Sequence, residues 1–378
     1  MHFHELLAAG LAILGTVEAI PAVPNPTGIN TFTNATVYQP SNNRSSVSYV
    51  RTETLPDNAL LATWNAFGSG SGSLPIYRSE DNGLTWSPWG SCKSDVPGRQ
   101  LVQPHMLYLK EGFGEEEGGV LLLAVNAVDN TSTNMEVYAS WDQGHSFNFV
   151  SRVAEGGRAN TKNGATPVWE PFLLKHGDKL TVYYSDQRDP KHGQKLVQQT
   201  TQGGFDSWGD VVDVIASEIY EDRPGMLIAT KLPNGQYLMV FEYAMIANQA
   251  LGEYKYPIYY KLSFDPENAN SEPWHRLVVN VGTQPNGGPY VTWSPVGGPN
   301  GTIIVSDSDN NPIWINQALG EGTWKEVQTP HGHAYSREVR VPVNDGTKIR
   351  IAGGAPYGAP PPGLVQVSVM DLRKALEI

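Results

Sequence analysis

One short pattern occurs twice in this chain of 378 residues, and it strongly limits the folds that the chain can adopt. Residues 79–86 and 140–147 both read Ser-x-Asp-x-Gly-x-x-aromatic. The Asp carboxylate can accept hydrogen bonds from turn amides, the Gly can take a positive φ, and the aromatic ring can pack back onto a sheet. The pattern therefore predicts two tight hairpins at equivalent places in a repeating β-structure.

Weaker versions of the same turn follow at 200–204, 263–265 and 316–317, each ahead of a tryptophan. Aromatic residues thus return about every 60 residues, at Trp86, Phe147, Trp208, Trp274 and Trp324. The 39 Gly and 28 Pro residues also favour a loop-rich all-β fold. We therefore predict six units of four strands, exemplified in the fourth unit by strands at 226–229, 237–243, 258–264 and 276–281.

The last unit contains only three predicted strands, at 339–342, 348–352 and 364–369. An N-terminal strand at 31–38 can supply the fourth and close a ring, which would remove exposed sheet edges. A short helix is predicted at 371–376. The repeated turn resembles the Asp-box of sialidase-like β-propellers. This resemblance implies one six-bladed β-propeller domain over 20–378, with four-stranded blades.

The N-terminus has the features of a secretory signal. An apolar run at 6–15 precedes Val17-Glu18-Ala19, which predicts a signal peptide over 1–19 and a secreted, extracellular protein. Four Asn-x-Ser/Thr tripeptides support this route as candidate glycosylation sites, at Asn34, Asn43, Asn130 and Asn300. Cys92 is the only cysteine, so an intrachain disulfide is excluded.

The formal net charge of −12 argues against nucleic acid, anionic membranes and strongly anionic polymers as partners. A neutral polysaccharide fits this charge better. The sequence shows no spacing typical of a zinc site and no phosphate-binding loop. We therefore expect no metal and no cofactor, and we expect a monomer.

Two glutamates stand in apolar or aromatic strand contexts where a carboxyl group is costly unless it is paired or used. Glu170 lies between Trp169 and Pro171, and Glu242 ends the run 238–241 of apolar residues. Both fall at positions that face the central funnel of a propeller, on adjacent units. Two carboxyl groups across a sugar are what glycosidic cleavage requires.

The run Trp169-Glu170-Pro171-Phe172, with Phe241-Glu242-Tyr243 one unit later, resembles family 93 of the glycoside hydrolases, the fungal exo-1,5-α-L-arabinanases. The resemblance implies release of arabinobiose from the non-reducing ends of linear arabinan with retained configuration. It implies Glu170 as nucleophile and Glu242 as general acid/base. The order of these two roles stays open at this stage, because Tyr243 beside Glu242 can equally hydrogen-bond a nucleophile.

Further residues at funnel-facing positions are candidates for contact with a furanose ring, for binding of hydroxyl groups or for orientation of the carboxylates. They are His105, Trp169, Asn65, Asn126, Asp186, Arg188, Asp222, Arg223, Tyr243, Tyr290 and Arg337. For the aromatic residues, packing between blades is an equal alternative, and Asp222 with Arg223 can form a structural ion pair.

Two other functions fit the same fold. An exo-sialidase would use an arginine cluster such as Arg44, Arg223 and Arg337 for a substrate carboxylate, although the Arg-Ile-Pro signature of sialidases is absent. A propeller lectin would repeat one binding cluster in every blade, whereas these blades diverge at funnel positions. An exo-acting enzyme also needs a funnel closed at one end, and the long loops at 110–119 and 244–256 are the candidates.

Overall fold

The structure, a computed structural model, describes residues 28–41, 45–67, 72–248 and 253–378. The predicted signal peptide, Asn43 and Arg44 lie outside these residues. The described chain is almost entirely β-strand, arranged as six antiparallel sheets. In five sheets the strands follow one another along the chain as a meander that begins at the central axis, and in the sixth the outermost strand comes from the N-terminal part of the chain.

Strand β1 (Phe32–Tyr38) belongs to the last blade. The strands of blade 1 are β2 (Ser46–Thr54), β3 (Leu60–Phe67), β4 (Leu74–Ser79) and β5 (Ser87–Cys92). Those of blade 2 are β6 (Gln100–Leu109), β7 (Val120–Val128), β8 (Ser132–Ser140) and β9 (Asn148–Gly157). Those of blade 3 are β10 (Val168–His176), β11 (Lys179–Asp186), β12 (Lys195–Gln202) and β13 (Val212–Ile215).

Blade 4 has an extra short strand, and its members are β14 (Arg223–Lys231), β15 (Tyr237–Asn248), β16 (Glu253–Lys255), β17 (Ile258–Ser263) and β18 (Trp274–Arg276). Blade 5 consists of β19 (Tyr290–Ser294), β20 (Thr302–Ser306), β21 (Ile313–Asn316) and β22 (Lys325–Val327). Blade 6 consists of β23 (Glu338–Arg340), β24 (Lys348–Gly353) and β25 (Val365–Asp371), completed by β1. A 3-10 turn (Ala269–Ser271) and helix α1 (Leu372–Leu376) are the only helical elements of the described residues.

The blades close into a ring. Each innermost strand contacts the innermost strand of the next blade, and β23 of blade 6 contacts β2 of blade 1. Strand β1 pairs with β25, for example Phe32 with Val369 and Tyr38 with Val365. The predicted six-bladed, four-stranded propeller with an N-terminal closing strand is therefore confirmed.

The repeated turns have the hydrogen bonds that their residue types favour. Asp81 Oδ1 accepts from Leu84 N at 3.1 Å and Thr85 N at 2.8 Å, and Ser79 Oγ accepts from Gly83 N at 2.9 Å. The second copy repeats this arrangement around Asp142, with φ of 86° at Gly144. The turn chemistry thus explains where each hairpin ends.

The outer strand of blade 4 differs from the prediction. Strand β18 (Trp274–Arg276) is shorter and earlier than the predicted strand at 276–281. Leu277 N still bonds to Ile258 O of β17, but Val279 bridges to Trp324 of blade 5 instead of continuing the pairing with β17. Leu277 and Val279 are buried, whereas Val278 and Val281 are exposed, so only the first two owe their apolar character to the core.

Candidate active site

The funnel is bordered by one residue with positive φ from each blade. These residues are Tyr49 (φ 57°), Gln103 (φ 54°), Glu170 (φ 63°), Met226 (φ 56°), Gly288 (φ 41°) and Ser336 (φ 54°). In blades 1 to 4 the pairing of the first two strands shifts register at this residue. Positive φ is uncommon outside glycine, and a bulge redirects a side chain. In each of blades 1 to 4, a bulge in the innermost strand therefore redirects the side chain of this residue.

Glu170 is the bulge residue of β10. Its Oε2 accepts hydrogen bonds from Ser185 Oγ at 2.9 Å and Met226 N at 3.2 Å. Burial raises the pKa of Glu170 above its ordinary value, and these two donors and Arg223 oppose the increase. The donors favour the charged form of the carboxyl group.

Glu242 lies on β15, where its cross-strand neighbours are Gly225 and Ile258. Its Oε2 accepts one hydrogen bond, from Gly288 N at 2.8 Å. Burial, and then the nearby Glu170 carboxylate, raise the pKa of Glu242 to about 8. These surroundings favour the protonated form of Glu242, whereas the donors around Glu170 favour its charged form.

Gly225 lies beside both carboxyl groups. A Cβ on this glycine would lie 3.4 Å from Glu242 Oε1 and 3.5 Å from Glu170 Oε2. These two oxygens are thus no farther apart than the sum of the two distances. That limit is below most of the range of about 6.5–9.5 Å found for inverting glycosidases. The pair is therefore close enough to act on one glycosidic bond.

A chain of amides anchors the backbone of Glu170. Glu170 N donates to Gln103 Oε1 at 3.1 Å, and Asn126 Nδ2 donates to the same oxygen at 3.0 Å. Asn65 Oδ1 accepts from Gln103 N at 2.6 Å. The structure therefore brings the predicted residues Asn65 and Asn126 to the carboxylate pair through Gln103.

Arg223 and Trp169 also belong to this site. The Arg223 guanidinium donates to the side chains of Asn163, Gln187 and Gln194, and it lies close enough to both glutamates to affect their pKa. Trp169 Nε1 donates to Gln187 Oε1 at 2.8 Å. Trp169 lines a funnel cavity of about 460 Å³ together with Asn65 and Gln103. Arg223 thus acts as a fixed positive charge in the wall.

His105 and Tyr290 lie deeper along the axis, away from the pair. Both line a separate cavity of about 220 Å³. His105 Nδ1 accepts from Leu173 N at 3.2 Å, and burial holds the pKa of this histidine well below its ordinary value. Tyr290 stacks against the guanidinium groups of Arg51 and Arg340. The structure does not bring these two predicted residues to the carboxylates.

Five other predicted residues have structural partners instead. Asp186 forms an ion pair with Arg188 at 2.7 Å. Asp222 Oδ2 accepts from the hydroxyl of Tyr243 at 2.7 Å. Tyr243 follows Glu242, so its side chain leaves the opposite face of β15.

Arg337 is fully buried and donates to the backbone carbonyls of Asn311 and Pro312. It therefore lies in the packing between blades 5 and 6.

Several site residues were absent from the sequence-based candidates. Gln103 precedes a proline at the start of an inner strand, as Glu170 does, and this shared position was the available signal. Tyr49, Tyr335, Tyr256 and Tyr357 surround the funnel. Burial, and then the charges of the nearby Glu170 and Glu242, raise the pKa of Tyr335. The sequences next to these four tyrosines gave no comparable indication.

The loop at 110–119 joins the far end of β6 to β7, so it lies at the opposite end of the propeller from the pair. Glu115 N bonds there to Gly203 O of blade 3. The prediction that this loop closes the funnel was therefore wrong.

Among the described residues, no cluster of three or more His, Cys, Asp or Glu side chains is placed to hold a metal. No helix in the described ranges is long and apolar enough to cross a membrane.

A six-bladed propeller with two close carboxyl groups in its funnel defines a propeller-type glycoside hydrolase. The chain is 43% identical to a Penicillium chrysogenum α-L-arabinanase solved with arabinobiose, over 92% of this chain and 100% of that one, with a TM-score of 0.86. It is 39% identical to the Fusarium graminearum GH93 α-L-arabinofuranosidase solved with arabinobiose, over 92% and 99% of the two chains, with a TM-score of 0.87. The chain belongs to glycoside hydrolase family 93.

More distant similarity shows the fold alone. The NanB sialidase of Streptococcus pneumoniae is 10% identical, with a TM-score of 0.59 over 90% of this chain and 70% of that one. No protein-family model and no curated protein matches the chain. Because the chain belongs to family 93, we discard the alternative predictions of an exo-sialidase and of a propeller lectin.

Proposed function

We propose that this protein is a secreted, exo-acting, retaining glycosidase that releases arabinobiose from the non-reducing ends of α-1,5-linked L-arabinan. The observation that carries the proposal is the approach of both carboxyl groups to the single glycine at 225. The two similar enzymes, described as an arabinanase and an arabinofuranosidase bound to arabinobiose, support arabinan as the substrate class. The net charge of −12 agrees with a neutral polymer.

The unequal surroundings of the pair support Glu170 as nucleophile and Glu242 as general acid/base. Glu170 accepts two hydrogen bonds, which favour a carboxylate nucleophile. Glu242 has a pKa of about 8 and accepts one, which favours a proton donor. Tyr243 gives no support to the reverse order, because its hydroxyl donates to Asp222 Oδ2.

The reaction then follows two displacements. Glu170 attacks the anomeric carbon while Glu242 protonates the departing glycosidic oxygen, and a glycosyl ester on Glu170 results. Glu242, now a carboxylate, removes a proton from water, which attacks the same carbon and releases Glu170. Each step inverts the anomeric centre, so the sugar leaves with its original configuration.

Exo action requires a wall at one end of the substrate cleft. The hairpin of β15 and β16 rises at the same end of blade 4 as Glu242, with Met245 paired to Lys255 and Ile246 to Tyr254. Tyr256, directly after this hairpin, lies near Glu242 and Arg223. We assign the wall to these described strands.

Product analysis tests the function. Wild type, Glu170→Gln, Glu242→Gln and the exposed control Glu80→Gln are incubated with linear 1,5-α-arabinan, and products are separated by chromatography. We expect arabinobiose as the only early product from wild type and control, with at least a thousandfold loss in both site variants. A ladder of longer products would refute the exo mode.

Azide rescue separates the two roles on an arabinobioside with a good leaving group. With Glu242→Ala, azide should restore turnover and yield a glycosyl azide of retained configuration, because the ester on Glu170 still forms. With Glu170→Ala, azide should attack directly and yield the inverted azide. The opposite pattern would exchange the assigned roles.

Secretion and glycosylation are part of the same proposal. Asn34 and Asn130 are exposed, which suits glycan attachment. Asn300 is half-buried, and its Nδ2 donates to Gln317 O at 3.3 Å, a bond that a glycan would displace. We expect protein from a eukaryotic secretory host to carry glycans at Asn34 and Asn130. Peptide mass spectrometry before and after glycosidase treatment checks this, and unmodified peptides at both sites would refute it.

A further inference from the structure

Tyr357 is an exposed aromatic residue at the rim of the funnel. Its side chain belongs to a residue that is 81% exposed, and it lines the same cavity of about 460 Å³ as Gln103 and Trp169. The segment that carries it, at 355–363, contains four prolines. Proline fixes φ, so little conformational entropy is lost when this segment contacts a ligand.

A row of tyrosines joins this rim to the carboxylates. The rings of Tyr357 and Tyr335 lie 5.3 Å apart, and those of Tyr335 and Tyr49 lie 6.2 Å apart. The Tyr335 hydroxyl approaches Met226 Sδ at 3.9 Å, and Met226 N donates to Glu170 Oε2. An aromatic surface therefore continues from the catalytic pair to solvent.

Tyr256 approaches the same rim from blade 4 and is 37% exposed. Tyr357 is close enough to Tyr256 to affect its pKa. The mouth of the funnel is thus bordered by two partly exposed tyrosines that come from different parts of the ring. Sugar rings present C–H groups on their faces, and aromatic side chains bind such apolar surface well.

We propose that Tyr357 is a stacking platform for a furanose unit of the leaving arabinan chain, beyond the three units nearest the non-reducing end. This inference rests on the proposed exo release of arabinobiose. In release of arabinobiose, the first two units from the non-reducing end occupy the funnel and the third unit lies just beyond the cleaved bond. The rim is therefore reached only by the fourth unit or a later one. Tyr357 then improves the use of long chains without acting on the bond itself.

Kinetics as a function of chain length test the proposal. For Tyr357→Ala, we expect kcat/KM on arabinohexaose to fall roughly three- to tenfold, the equivalent of a lost stacking contact. On arabinotriose the same variant should match wild type. Tyr357→Phe should match wild type on both substrates, because the ring face makes the contact. Phe264→Ala, at an exposed aromatic residue (69% exposed) on the opposite end of blade 4, is the matched control.

An equal loss on arabinotriose and arabinohexaose, no loss on either, or a loss in Tyr357→Phe as large as in Tyr357→Ala would overturn the proposal. Failure of wild type to hydrolyse either substrate would refute the proposed function and not the platform. In that case, calorimetric titration of arabinohexaose into the Glu170→Gln variant and into the Glu170→Gln/Tyr357→Ala double variant tests the platform. Weaker binding in the double variant supports the platform, and unchanged binding refutes it.

Discussion

At the scale of single residues, Glu170 and Glu242 show how two identical side chains obtain different properties. Both are raised in pKa by burial, but Glu170 accepts two hydrogen bonds and Glu242 accepts one. Each carboxylate also disfavours ionisation of the other, so the two protons leave in steps that belong to the pair. The group with more donors ionises first.

The pH dependence of kcat/KM follows from this order. Cleavage requires Glu242 protonated, so activity should be present below pH 8 and lost as pH rises through about 8. It also requires Glu170 charged, so activity should be lost as pH falls through the raised pKa of Glu170. A bell-shaped profile measured on arabinotriose is the expected result.

The variant Asp309→Asn tests whether ionisation of Glu242 causes the loss of activity on the alkaline side of the pH profile. The Asp309 carboxylate contributes to the raised pKa of Glu242, so its neutralisation should move the alkaline limb of the profile to lower pH. Asp206→Asn, on the exposed turn between β12 and β13, should leave the limb in place. An identical limb in both variants would contradict the assignment to Glu242.

At the scale of elements, the outer hairpin of each of the first two blades depends on a buried serine. Ser79 Oγ donates to Asp81 Oδ1 at 2.8 Å and accepts from the buried Gly83 N at 2.9 Å. The turn of blade 2 also packs against blade 1, where a Cβ on Gly144 would lie 2.8 Å from a methyl group of Leu61. These turns therefore connect strands within a blade and also contribute to the contact between blades.

The variant Ser79→Ala should lower the free energy of unfolding by about 1–3 kcal/mol, because it leaves a buried backbone N–H without its acceptor. Urea unfolding followed by tryptophan fluorescence measures this change. Ser91→Ala, at an exposed serine on β5, should change stability by less than about 0.5 kcal/mol. Equal effects of the two substitutions would show that the turn hydrogen bonds add no stability.

At the scale of the whole molecule, blade 6 is joined to blade 1 by more than the β1–β25 ladder. Glu338 Oε2 accepts from Thr52 N at 2.9 Å, and Glu338 Oε1 accepts from Arg340 Nε at 3.0 Å. Arg340 in turn pairs with Glu53 at 3.4 Å. This buried network links the first and last blades beside the axis.

Removal of the Glu338 carboxylate should destabilise the contact between blades 1 and 6. Glu338→Ala removes the acceptor of the buried Thr52 N–H and one of the two carboxylates that pair with Arg340, and it should cost about 1–3 kcal/mol. Glu80→Ala removes an 82% exposed glutamate that lies 3.5 Å from Arg78, and it should cost about 0–1 kcal/mol. Parallel urea unfolding of both variants compares the two costs. Similar midpoints would contradict a stabilising role for the network.

The sequence alone was sufficient for the fold, because the signals were local. Turn chemistry at Asp81 and Asp142 placed the hairpins, and the regular return of aromatic residues gave the number of blades. The closing strand followed from the missing fourth strand of the last unit. The two glutamates were also recognisable, since a carboxyl group within an apolar strand requires a compensating role.

Only the tertiary structure decided which neighbours of the glutamates share their site. A strand alternates its side chains between two faces, and a one-residue bulge changes which residue points to the axis. Gln103 therefore reaches Glu170, whereas His105 lies deeper in the channel and Tyr243 points to the other face of β15. Val279 likewise bridges to Trp324 of the next blade instead of extending β18. These outcomes depend on register and on contacts between distant segments, which no local pattern encodes.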